Sequence, residues 1–223
     1  MNKDLMRMLW IAAVLVAITA GAALIYSSQR DTAERAEAAA IAKQEENRFE
    51  RSHSRSLGPA TAKVTLVEFF DPECESCRAV HPVVKQLLKQ YPADLRLVVR
   101  YMPLHGNSVY AAMALEAAGE QGMYWEMLER LFHYQPIWGN HHDPKPELIP
   151  VYADELGLDM GQFQSDVTRP SYRTLVEIDR ADGQALGVRG TPTFFVNRRR
   201  VLRLDGPELA HMIEQELAKS DAR

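Results

Sequence analysis

The sequence predicts an α/β domain with a helical insertion, preceded by one N-terminal apolar helix and a helical stalk. Two apolar runs, VTLVEFF at residues 64–70 and LRLVVRYM at Leu95–Met102, are typical of buried strands, and they flank a helical segment from Cys74 to Tyr91. A strand, a helix and a strand with short connections form a βαβ unit, in which the two strands run parallel. Helical patterns then fill residues 107–179 before a second strand-rich part, so these helices form an insertion.

An uncharged apolar run extends from Met8 to Tyr26. As a helix it measures roughly 28 Å, which is close to the hydrocarbon thickness of a bilayer. Lys3 and Arg7 precede it, so the positive-inside rule keeps the N-terminus in the cytoplasm and exports the rest of the chain. A cleaved signal peptide, with small residues at Ala20–Ala23, is the alternative. We expect a single-pass inner-membrane protein with its domain in the periplasm.

Composition and charge patterns divide the chain into four predicted segments. They are a cytoplasmic tip and transmembrane anchor (residues 1–26), a helical stalk or linker (27–61), the main domain (62–219) and a short tail (220–223). The stalk contains no Pro or Gly from Ser27 to Ser56, and it pairs charges such as Asp31 and Arg35 at helical spacing. A coiled coil is the alternative, but bulky apolar residues are sparse there.

The overall composition excludes several classes of protein. Charged residues at 25% and hydrophobic residues at 46% are ordinary globular values, which indicate neither disorder nor a multispanning membrane protein. A net charge of -4 is too mild to indicate a nucleic-acid partner. The two cysteines, Cys74 and Cys77, supply only half of a four-ligand zinc pattern. In an exported domain, disulfide chemistry is the leading interpretation of such a pair.

The cysteine pair lies where a predicted strand passes into a helix, in the segment FFDPECESC. Unpaired N–H groups at a helix N-terminus stabilise an anion, so Cys74 is predicted to be the nucleophilic thiolate. Cys77 follows one turn later and is close enough to resolve a mixed disulfide. A purely structural bridge is the alternative, but such a short loop would stabilise the fold little.

The chain resembles the DsbA-like branch of the thioredoxin superfamily from about Ala62 to Lys219. The resemblance is carried by four motifs: VEFFDPECESC, RYMPLHGNS, QGMYWEMLERLF and VRGTPTFFVN. It implies a thioredoxin-like fold in which the Thr191-Pro192 peptide is cis and faces the cysteines. Glu68 matches the buried acid beneath the cysteines of relatives, where a carboxyl of raised pKa relays a proton to Cys77. A solvated Glu at the edge of the sheet is the alternative.

The resemblance implies thiol-disulfide exchange without a cofactor. The expected partners are cysteine-containing exported proteins and a membrane redox partner that resets the pair. Glu75 leaves the direction of exchange open. Its carboxylate disfavours the neighbouring Cys74 thiolate, so the predicted pKa of Cys74 is nearer about 7 than about 3.5. This favours a weak oxidant, an isomerase or a reductase.

Two functions of other classes remain open. One is a membrane-tethered chaperone or adaptor that uses the peptide groove without turnover. The other is a metal handler, for copper or zinc, that uses the thiols and nearby histidines. His133, His141 and His142 are interpreted as exposed loop residues instead of ligands, because they lack the helical His-x-x-x-His spacing.

Overall fold

A computed structural model describes residues 48–221 of the 223-residue chain, together with the single helical residues Gly21 and Gln29. The predicted anchor at residues 8–26 and the stalk up to residue 47 therefore lie outside the described residues, these two positions excepted. Among the residues that are described, no helix combines the length and the apolar character that a membrane crossing requires. The fold below is that of the compact unit Arg48–Arg223.

Within this described part, a five-stranded mixed sheet forms the centre of the unit. Its strands are β1 (Arg55–Leu57), β2 (Val64–Phe70), β3 (Leu95–Tyr101), β4 (Thr193–Val196) and β5 (Arg199–Arg200), in the spatial order β1-β3-β2-β4-β5. Strands β2 and β3 run parallel, joined by helix α1 (Glu75–Gln90), which confirms the predicted βαβ unit. The other pairs are antiparallel.

Strand β1 differs from the expected helical stalk, which was predicted to continue to residue 61. Arg55 pairs with Val99 and Leu57 with Leu97 along the edge of β3. The edge of β3 offers unpaired N–H and C=O groups, which an extended segment can satisfy and a helix cannot. Arg55 also donates a hydrogen bond of 2.7 Å to the buried carboxylate of Glu116. The helical prediction is therefore wrong for residues 48–61, where the structure has turns, irregular backbone and β1.

The insertion between β3 and β4 is helical, as predicted. It contains α2 (Ser108–Glu120), α3 (Tyr124–Trp138), a 3-10 turn (Pro146–Leu148), α4 (Ile149–Glu155), α5 (Met160–Asp166) and α6 (Pro170–Ala185). Helix α2 buries residues on all sides, as expected for the innermost helix of a packed group. The run predicted at residues 160–179 is divided between α5 and α6, because Pro170 disfavours helical backbone at Arg169. The closing helix α7 (Gly206–Asp221) follows β5.

A buried ion cluster attaches α6 to the sheet. Arg100 on β3 is fully buried, and its guanidinium contacts Asp179 and Asp182 of α6 at 2.7 Å each. The carbonyl of Arg48 and the guanidinium of Arg51 complete the cluster, the latter at 2.7 Å from Asp182. A buried charge is tolerated only when it is paired, so these contacts fix α6 and the start of the unit against β3.

Candidate active site

The candidate site lies where β2 ends and α1 begins. The backbone N–H of Cys74 donates to the carbonyl of Asp71 at 3.1 Å, and this turn places Cys74 at the N-cap of α1. The backbone N–H of Asp71 lies 3.5 Å from the Cys77 sulfur. Cys74 retains 7% of its surface and Cys77 retains 0%. Of the two cysteines, only Cys74 therefore keeps any exposed surface.

The two thiols have opposite pKa shifts. The hydrogen bond donated by Cys77 lowers the pKa of Cys74 to about 5, against the effect of burial, and the backbone N–H groups of Ser76 and Cys77 add to this. Burial raises the pKa of Cys77, as do its hydrogen bond to Cys74 and the charge of Glu68. Cys74 is thus a thiolate at neutral pH and Cys77 a thiol, as an attack by Cys74 followed by resolution by Cys77 would require.

Glu75, which was expected to raise the pKa of Cys74, is paired with a histidine. Its carboxylate accepts a hydrogen bond of 2.6 Å from Nε2 of His141. Its own backbone N–H, followed by His141, holds the pKa of Glu75 below its usual value. The predicted Cys74 pKa near 7 is too high, because the Cys77 thiol, the Thr191 side chain and nearby backbone N–H groups lower it to about 5.

The Thr191-Pro192 peptide is cis and adjoins the first cysteine. The thiol of Cys74 donates to the carbonyl oxygen of Thr191 at 3.3 Å. Across the part of the chain that the structure describes, the Thr191 hydroxyl is the only buried side-chain oxygen or nitrogen without a hydrogen-bond partner. When Cys74 ionises, this hydroxyl can donate to the thiolate, and it contributes to the lowered pKa of Cys74.

Glu68 lies in the middle of the sheet, since β2 is flanked by β3 and β4. It is opposite Val99 on one side and Phe194 on the other, and only 5% of its surface is exposed. The alternative of a solvated Glu at a sheet edge is therefore wrong. Burial raises the pKa of Glu68 to about 8, with a smaller contribution from the charge of Cys74. The carboxyl is protonated at neutral pH and holds a proton near the pair.

Sequence reasoning missed the part that Asp71 plays. Its fully buried carboxylate accepts hydrogen bonds from the backbone N–H groups of Glu73 at 2.8 Å and Leu104 at 2.7 Å, and lies 2.7 Å from Nδ1 of His105. The residue thereby joins the cysteine turn to the loop after β3. An acid directly after a buried strand and three residues before a cysteine was the available signal.

The site combines a cysteine of lowered pKa, a second thiol that is buried, and an adjacent cis-proline loop. This combination is typical of disulfide oxidoreductases with a thioredoxin-like fold. The chain is a member of the Thioredoxin family, whose model matches residues 50–215. It is 30% identical to a thioredoxin-like oxidoreductase from Silicibacter pomeroyi, covering 76% of this chain and 95% of that one with a TM-score of 0.66. BdbD from Bacillus subtilis is 26% identical, with 74% and 93% covered and a TM-score of 0.67.

A longer protein also contains a related segment. The Na(+)/H(+) antiporter NhaA of Herminiimonas arsenicoxydans is 41% identical over 144 residues. The match covers 65% of this chain but only 22% of the antiporter. It therefore relates one segment of that protein to this domain.

We predict that Thr191→Val raises the pKa of Cys74, because valine keeps the shape of threonine but cannot donate to the thiolate. The rate of alkylation by iodoacetamide should rise with pH through the pKa, with a midpoint at about 5 in the wild type. The variant's midpoint should move upward, whereas that of Thr174→Val, on α6, should not. Coinciding profiles of wild type and Thr191→Val would exclude this donor role.

Proposed function

We propose that the protein exchanges disulfides with cysteine-containing exported proteins through Cys74 and Cys77. The observation that supports this most directly is Cys74, which keeps 7% of its surface exposed, has a lowered pKa and places its sulfur 3.3 Å from the Thr191 carbonyl oxygen. A nucleophile of low pKa beside an accessible backbone carbonyl suits a peptide substrate that docks next to Pro192. The reaction needs no cofactor, since electrons pass between sulfur atoms.

In the oxidising direction, a substrate thiolate attacks Cys74 of the Cys74-Cys77 disulfide. The sulfur-sulfur bond of the protein breaks, a mixed disulfide forms on Cys74, and Cys77 leaves with the electron pair. A second substrate thiolate then attacks the substrate sulfur, which releases Cys74 as a thiolate and leaves the substrate with a disulfide. The protein has gained two electrons and the substrate has lost two.

Glu68 is the proton donor in this proposal. Its pKa of about 8 keeps it protonated at neutral pH, and its charge interacts with Cys77. Departing Cys77 strongly prefers the protonated form, because burial raises its pKa. Transfer of the Glu68 proton to Cys77 therefore stabilises the leaving group, and the reverse transfer activates Cys77 when the mixed disulfide is resolved.

We further propose that residues 8–26 anchor the chain in the inner membrane and that the domain faces the periplasm. The apolar run and the preceding Lys3 and Arg7 support this topology. A membrane redox partner then resets the pair after each exchange. Protease added outside intact spheroplasts should digest the domain, and full protection of the domain would exclude this location.

We expect the pair to be more oxidising than thioredoxin, in contrast to the weak oxidant, isomerase or reductase that the sequence favoured. A thiolate that is stabilised at neutral pH stabilises the reduced form, and a stabilised reduced form makes the disulfide a stronger oxidant. The reduction potential of the full-length chain against glutathione should therefore lie above about −270 mV, the value for thioredoxin. A potential at or below that value would identify a reductase.

We predict that Cys77→Ala accumulates mixed disulfides with partner proteins. Cys74 can still attack in this variant, but no second thiol remains to resolve the intermediate. Non-reducing gels of cell extracts should show adducts that collapse on reduction. Cys74→Ala is the matched control and should trap none. Equal trapping by Cys74→Ala, with none by Cys77→Ala, would reverse the roles, and an absence of adducts in both would favour a chaperone or adaptor.

We predict that Glu68→Gln slows turnover by roughly 10²-fold, a typical effect of losing a general acid or base. The amide is neutral, as the wild-type carboxyl is at neutral pH, so the alkylation rate of Cys74 should stay unchanged. The wild-type rate of substrate oxidation should fall as pH rises through about 8, because Glu68 loses its proton, and the variant should lack this fall. Full turnover in Glu68→Gln would exclude the relay.

A further inference from the structure

A second cluster of reactive side chains lies beside the cysteine turn, and disulfide exchange does not use it. Glu75, His105 and His141 each offer one potential ligand atom, and these atoms all lie within 4.8 Å of one another. The three residues come from separate segments: the start of α1, the loop after β3 and the loop after α3. The His105 and His141 rings are 5.6 Å apart between centroids.

His105 is already oriented by a buried carboxylate. Its Nδ1 lies 2.7 Å from the Asp71 carboxylate, which is fully buried and also accepts the neighbouring N–H of Leu104. When Nδ1 carries a proton toward Asp71, Nε2 is left with the lone pair that a metal ion needs. Histidine ligands in metal proteins are typically held by a carboxylate in this way.

The spacing of the cluster suits an ion with small adjustments. Ligands at about 2.0–2.1 Å from a tetrahedral ion lie about 3.3 Å from each other. In the structure, His141 Nε2 and Glu75 Oε1 are 2.6 Å apart, and all three ligand atoms lie within 4.8 Å of one another. The separation needed around a tetrahedral ion falls within this range. The His141 and Glu75 side chains are 53% and 51% exposed, so solvent space is available for a change of rotamer. A cavity of about 270 Å³ lined by both residues provides room beside them.

We propose that Glu75, His105 and His141 bind one divalent transition-metal ion, of the class to which Zn²⁺ belongs, at the rim of Cys74. Two imidazoles and one carboxylate suit Zn²⁺, whereas Ca²⁺ and Mg²⁺ prefer oxygen ligands alone. Three protein ligands leave a fourth position open. Glu75 directly follows Cys74 in the chain, and the charge of Cys74 acts on His105. An ion held by these residues is therefore expected to hinder the approach of a substrate to the sulfur and to inhibit exchange reversibly.

The test uses the full-length chain with Cys74→Ser and Cys77→Ser, which removes both thiols as competing ligands. Calorimetric titration with Zn²⁺ should give one ion per chain. Adding His141→Ala should weaken binding by about 10-fold or more, the scale on which metal sites respond even to the loss of supporting groups. His142→Ala is the matched control, since it changes the adjacent exposed histidine outside the cluster, and it should bind as the parent does.

Any of three results would exclude the proposed site. Zn²⁺ does not bind the parent that carries both Cys→Ser changes, Zn²⁺ binding is unchanged by His141→Ala, or His142→Ala weakens Zn²⁺ binding as much as His141→Ala does. Thermal unfolding without metal should show the same transition for both histidine variants, which separates loss of a ligand from loss of the fold. The titration requires no redox activity, so it can fail or succeed independently of the proposed exchange reaction. In the chain with both cysteines, Zn²⁺ should slow exchange, and His141→Ala should relieve this.

Discussion

The buried carboxylate of Asp71 is the constraint on which the candidate site depends. It accepts the N–H of Glu73 within the cysteine turn, and it binds Leu104 and His105 in the loop after β3. A fully buried carboxylate needs several hydrogen-bond donors in place of water, and these hydrogen bonds hold the two loops together. Because the carbonyl of the same residue accepts the N–H of Cys74, the first cysteine is held at the start of α1.

This geometry places two chemically identical thiols in different electrostatic environments. Cys74 lies at the helix start, where N–H groups and the Cys77 thiol stabilise its negative charge. Cys77 lies one turn into the helix above Glu68, where burial and a neighbouring acid oppose a negative charge. In the proposed exchange reaction, the attacking and resolving roles therefore follow from how deeply each thiol is buried.

The sequence predicted those parts of the fold that depend on local pattern or on a recognisable motif. The apolar runs of β2 and β3 and the Cys-x-x-Cys at a strand end are local, and the cis peptide before Pro192 followed from family resemblance. Strand β1 was missed, because its extended form depends on an edge of β3 that no local pattern reveals. The error in the Cys74 pKa has the same origin: the charge of Glu75 is visible in the sequence, but the approach of Thr191, 117 residues from Cys74, is tertiary.

Glu75 directly follows Cys74 and is also a ligand of the proposed metal site. Its position therefore determines how metal binding would act on disulfide exchange. An ion on Glu75 removes a negative charge beside Cys74, which by itself favours the thiolate. That gain is small, because Cys77, the helix N–H groups and Thr191 already lower the pKa of Cys74 to about 5, so the sulfur is ionised at neutral pH without it. What remains is the obstruction of a substrate that approaches the sulfur. In the proposed site, a metal therefore acts as an inhibitor and not as an activator of the thiolate.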